Sequence, residues 1–63
     1  MHPRVGMKLR DGLLTRTVLW ADQKRVQVKS EWTAHGEPAS HTWLMSLSKW
    51  NEWVAEKKPQ PVN

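Results

Sequence analysis

The chain has 63 residues and a net charge of +4, with five tryptophans and no phenylalanine, tyrosine or cysteine. That length allows one domain, and domains of this size bury only about 60% of the surface their unfolded chain exposes, so stability is marginal. Without cysteine there is no disulfide or thiolate zinc site to brace a small core, which leaves dense packing, oligomerisation or a partner.

Met1–Gly6 reads as a loose lead-in. Met7-Lys8-Leu9-Arg10 alternates apolar and charged residues, the pattern of a half-buried strand. Asp11-Gly12 is a hairpin signal, since both residue types tolerate positive φ. Leu13–Trp20 is rich in β-branched and aromatic residues that suit a pleated surface. In a regular strand Leu14, Val18 and Trp20 share one face with Arg16, and Leu13, Thr15, Thr17 and Leu19 share the other. Neither face is wholly polar, which predicts a central or strongly bent strand.

Ala21–Lys24 is a polar turn. Arg25–Trp32 is the clearest strand: Val26, Val28, Ser30 and Trp32 point one way, and Arg25, Gln27, Lys29 and Glu31 the other. A period of two over this span predicts one face on the core and one in water, and a one-residue slip would bury the polar set. Thr33–Ser40 holds Gly36 and Pro38 and reads as a loop. His41–Met45 is a short strand with Trp43 and Met45 on one side. Ser48 is the expected helix N-cap. Trp50, Trp53, Val54 and Lys57 then lie at the spacing of one helical face, with Lys57 and Lys58 at the C-terminal end, where the dipole favours cations. Pro59 and Pro61 stop the helix. The expected organisation is a single β-rich domain over 1–58 and a flexible tail over 59–63.

This order predicts a mainly β fold with one short C-terminal helix, built on a three- to four-stranded antiparallel meander. The segment Gly6-Met7-Lys8-Leu9-Arg10-Asp11-Gly12, the strand that follows it to Val18, and the Val26/Val28 alternation resemble SH3-like barrels of the Tudor or KOW kind. The resemblance implies a half-open barrel and a binding role. An aromatic cage of the Tudor sort would need Trp20 and Trp43 to converge. The chain is also similar in general style to short proteins of phages and mobile elements.

Enzymatic constellations are missing from the sequence. The glycines are scattered, there is no cysteine nucleophile, and no local signature ties a serine or histidine to an acid. His35 and His41 flank Glu37, but with His2 they match no structural zinc spacing, so neither metal nor cofactor is expected. No run approaches the ~20 apolar residues that span a bilayer, and Met1–Arg10 lacks the apolar core of a signal peptide. These features predict a soluble cytoplasmic protein without a membrane partner.

Charge is the stronger functional clue. Residues 1–30 carry seven basic side chains against two acidic ones, a net of +5, while residues 31–63 carry a net of −1. Lys8, Arg10, Arg16, Lys24, Arg25 and Lys29 are the candidate nucleic-acid ligands. If Lys8, Arg10 and Arg16 face the same way as Arg25 and Lys29, one sheet face is positive, a surface suited to phosphates or to an acidic host protein. Trp32, Trp43, Trp50 and Trp53 are assigned to the apolar sides of their elements. Trp20, at a strand end, is the candidate protein contact. The readings that follow are a nucleic-acid-binding regulator, a protein-binding effector or inhibitor, and a homo-oligomeric structural subunit.

Overall fold

A computed structural model describes residues 2–62. Five strands and one helix follow in the order β1 (Lys8–Asp11), β2 (Leu14–Ala21), β3 (Arg25–Ala34), β4 (Glu37–Ser46), α1 (Leu47–Lys57) and β5 (Gln60–Pro61). The strands form one antiparallel sheet in the order β4-β3-β2-β1-β5. The fold is therefore mainly β with one short helix, with one strand more than the meander expected. The sheet is open, with β4 and β5 as its edges, and no strand pairing among the described residues closes it into a barrel.

Turn chemistry sets the registers. Asp11 pairs with Leu14, so the first turn centres on Gly12 and Leu13, one residue later than Asp-Gly alone suggested. Gly12 has φ of +61° and occupies the first central position, as a type II′ turn requires. Lys8 and Arg10 then pair with Thr17 and Thr15, and Leu9 pairs with Arg16. The next hairpin replaces the loop expected over Thr33–Ser40. β3 runs to Ala34, His35 and Gly36 both take positive φ in a two-residue turn, and β4 starts at Glu37. The two presumed breakers fit this hairpin. Gly36 supplies the turn. Pro38 pairs with Thr33 one step beyond the bonded closing pair, where an edge-strand N–H would face away from the sheet.

The most consequential irregularity is in β2. Val18 pairs with Val28, but the next pair is Trp20 with Gln27, so Leu19 is an extra residue and the register shifts. Such a bulge changes which side of the sheet the rest of the strand presents. Trp20 leaves the face of Val18 and joins the opposite one.

The inner face carries the core. Leu9, Val18, Val26, Val28 and Trp50 are buried, with Met7, Ala21, Trp43, Met45, Leu47, Trp53 and Val54 packed around them. α1 closes over this face, and Trp50 is fully buried beneath it. The helix is capped by Ser46, two residues before the expected Ser48: the Lys49 amide donates to Ser46 Oγ at 3.2 Å. At the other end Lys58 takes a left-handed conformation and its amide donates to the Val54 carbonyl, which terminates the helix.

Both ends of the described chain are bonded to the sheet. The lead-in turns at Arg4–Met7, and the Gly6 amide donates to the Val18 carbonyl at 2.8 Å. Pro59–Val62, expected within a flexible tail, runs back along β1. Leu9 pairs with Pro61, Arg10 pairs with Gln60, and the Val62 amide donates to the Lys8 carbonyl at 3.0 Å. Two prolines suit this edge because their fixed φ is extended and the outermost strand does not need their missing donors.

Candidate nucleic-acid interface on the outer sheet face

The face away from α1 can be read row by row from the strand registers. One row runs Lys8, Thr17, Lys29, Thr42. The row beside it runs Gln60, Arg10, Thr15, Glu31, Ser40. On the other side lies Trp20, Gln27, Leu44, and beyond it Arg25 with Ser46. Lys8, Arg10, Arg25 and Lys29 thus share one surface. Trp20 is set between the row of Arg25 and the row of Lys8 and Lys29.

Trp20 is 42% exposed, and Leu19 beside it and Leu44 across β3 are also exposed. The regular alternation of β2 placed Trp20 inward with Val18, and the bulge places it outward. An exposed indole therefore sits among the basic side chains, although the periodicity of β2 places it on the opposite face. The only sequence hint was its position at a strand end. Trp43 lies on the inner face, so Trp20 and Trp43 do not converge into an aromatic cage.

Arg16 is the correction on the basic side. It pairs with Leu9 and Ser30 and therefore faces inward, away from Lys8 and Arg10. Its guanidinium carbon lies 4.5 Å from the ring centre of Trp53 and 5.4 Å from that of Trp43. Its Nε donates to Ser30 Oγ at 3.3 Å. Burial lowers its pKa, partly opposed by the charge of Asp11. A guanidinium remains protonated in such a setting, so this is a cation held between two indoles as part of the core wall.

The other candidates are exposed or half-exposed. Arg10 Nε donates to the Gly12 carbonyl at 3.0 Å, which fixes the guanidinium at the first turn. Lys24 sits in the β2–β3 turn, organised by Asp22, whose Oδ1 accepts from the Lys24 and Arg25 amides at 2.8 and 2.6 Å. These backbone bonds are the main reason the Asp22 carboxyl is held below its ordinary pKa, with Arg25 and Lys24 adding charge. Arg25 Nη2 also lies 3.8 Å from Asp22 Oδ2, so part of its charge is answered locally. Lys8, Arg10 and Lys29 have no ion-pair partner among the described residues. Thr17 Oγ1, between Lys8 and Lys29, is buried without a hydrogen-bond partner.

Trp32 departs from its assigned core position. β3 and β4 extend past the end of β2, whose last pair with β3 is Thr15 with Glu31. Trp32 lies on this projecting arm and is 37% exposed. His35 is in the turn and His41 is beside Trp43, with ring centres 4.9 Å apart. Among the described residues no three His, Asp or Glu side chains group as metal ligands, and no helix is long and apolar enough to cross a membrane. Scans against protein-family models, curated proteins and solved structures return no match to this chain.

Proposed function

We propose that this protein is a non-enzymatic binding module whose outer sheet face engages single-stranded nucleic acid. The observation that carries the reading is the exposed Trp20 interleaved with Lys8, Arg10, Arg25 and Lys29 on one face. Cations along a surface neutralise phosphates and release counterions. An indole among them offers a stacking platform worth about 1–3 kcal/mol per base, available only where bases are unstacked from a partner strand. In this reading Lys8 and Lys29 act as point charges on phosphates and Arg10 as a planar two-donor contact. Gln27, beside Trp20, supplies the amide that meets a base edge. Glu31 on the same face limits how far the strand extends toward the hairpin arm.

Titration of the protein with oligo-dT and oligo-U, read by tryptophan quenching, tests this. Four phosphate contacts predict a slope of about −2.8 in log K against log salt for a single strand. Trp20→Ala should weaken binding by roughly tenfold or more while leaving the salt slope unchanged. Lys29→Gln should lower the slope by about 0.7. No binding to any single strand at low salt would sink the proposal.

A second reading draws on Leu19, Trp20 and Leu44, an exposed apolar group that nucleic acid would use only in part. The same face would then dock an acidic protein as an effector or inhibitor, with Trp20 as the anchor. A stoichiometric, nuclease-resistant complex lost in Leu44→Ser would favour it.

A further inference from the structure

We infer that the protein forms a symmetric homodimer through the β4 edge, joining two sheets into one of ten strands. The two edges of the sheet differ. The β5 edge is the two residues Gln60 and Pro61, with Pro59 immediately before them. The β4 edge is ten residues long, with no bulge in its register, and from Ala39 to Ser46 it contains no proline, lysine or arginine. Natural sheets protect long open edges with such residues; Pro38 guards only the first step of β4, and the unprotected stretch from Ala39 to Ser46 is open to pair.

The occupant that fits is a second copy. Two β4 strands related by a two-fold axis at Thr42 pair Thr42 with itself, Ser40 with the partner's Leu44, and His41 with the partner's Trp43. The residues whose N–H groups face outward in β4, Ser40, Thr42 and Leu44, then meet each other, and inner and outer faces stay in phase. On the inner face Ala39 meets the partner's Met45. Ala39 is small, which lets the exposed Trp32 in the same row reach across it to the partner's Met45 and the groove that Arg16, Met45 and Trp53 line beside α1. Charge is complementary as well. Glu37 meets the start of the partner's α1, where the dipole favours a carboxylate and the first turn holds no acidic residue, Lys49 there being already 3.7 Å from Glu52. The same pairing makes the two outer faces continuous. It does not depend on what those faces bind.

The lack of native cysteine gives a direct test. In the bonded pair at the axis the Cα atoms lie about 5.5 Å apart, within the span of a disulfide. Thr42→Cys should therefore form a covalent dimer under mild oxidation, and Ser40→Cys should not. Sedimentation of the wild type from micromolar to millimolar concentration should show a doubling of mass, with a blue shift of tryptophan emission as Trp32 is covered. Thr42→Lys places like charges face to face and should sediment as a monomer with an unchanged circular dichroism spectrum. A wild type that stays monomeric throughout this range overturns the inference. So does a dimer that tolerates Thr42→Lys, or one in which Ser40→Cys cross-links as fast as Thr42→Cys.

Discussion

Replacing Arg16 with lysine separates its two possible roles. On the sheet surface the change would keep the charge and disturb little. Between Trp43 and Trp53 it should destabilise the fold, because an ammonium cannot stack on both rings and reach Ser30 Oγ as the planar guanidinium does. Each cation–π contact is worth about 0.5–1 kcal/mol when exposed and about 2 when desolvated. Arg16 is half-buried, so two contacts give about 2 kcal/mol, of which lysine retains a part. A loss of about 1–2 kcal/mol is expected, against a total of about 3–9 kcal/mol for a domain of this length. For so small a domain the midpoint should fall by roughly 5–15 °C. Urea and thermal unfolding followed by circular dichroism measure this. A double-mutant cycle with Trp53→Leu should return a coupling near 1 kcal/mol. The loss should be constant from pH 5 to 9, since the guanidinium does not titrate there. Arg16→Lys with wild-type stability, or Arg16→Gln with intact stability and weakened nucleic-acid binding, would refute the inward placement.

Two further substitutions follow from the polar groups of the sheet. Thr17→Val removes a buried hydroxyl that has no partner; leaving such a group unsatisfied costs about 1–3 kcal/mol. The variant should be more stable by about 1 kcal/mol, and a lower midpoint would reveal a partner for the hydroxyl. Asp22→Asn tests the β2–β3 turn. The folded-state pKa of Asp22 is depressed by two backbone N–H donors, so its stabilisation is present above the unfolded value near 3.9 and lost as pH falls through the folded value. Wild type should exceed the variant in stability at neutral pH, and the two curves should converge below about pH 4; parallel curves would contradict the assignment.

Much of the architecture was readable from periodicity. The Val26/Val28 alternation marked β3 and its buried face, and the spacing of Trp50, Trp53 and Val54 marked the helix face that packs on the sheet. The parts that were not readable share a cause: each depends on a residue whose local preference fits two structures. Gly36 and Pro38 break a strand interior, yet they also suit a two-residue turn and a non-bonded edge position. Ser46 and Ser48 are equal as caps, and where β4 ends decides between them. Pro59 and Pro61 end a helix but are also extended enough to line a sheet edge. For the candidate site, Lys8, Arg10, Arg25 and Lys29 were legible as strand charges. The inward turn of Arg16 needed the hairpin register that pairs it with Leu9 and Ser30.

The β2 bulge was illegible for a different reason, and it can be tested by deletion. No residue type in Val18-Leu19-Trp20 announces an extra residue; the shift is imposed by the two inward pairs on either side of it, which must stay in the core. Val18 pairs with Val28 below it and Ala21 with Val26 above it, leaving Leu19 and Trp20 to oppose Gln27. A deletion inside a strand normally reverses every side chain beyond it. Removing Leu19 should not, because it leaves Val18, Trp20 and Ala21 opposite Val28, Gln27 and Val26 in regular alternation. The β1 side is also undisturbed, since the Gly6 amide to the Val18 carbonyl is the last bond there. The deletion variant should stay within about 1 kcal/mol of wild type, with Trp20 still open to acrylamide. Deleting Thr17 from the same strand should cost more, because it moves the fully buried Val18 to the outer face and forces the larger Leu19 into its slot opposite Val28. If losing Leu19 instead buries Trp20, the pairing of Trp20 with Gln27 is not what holds the indole on the basic face, and the stacking role proposed for it fails with that placement.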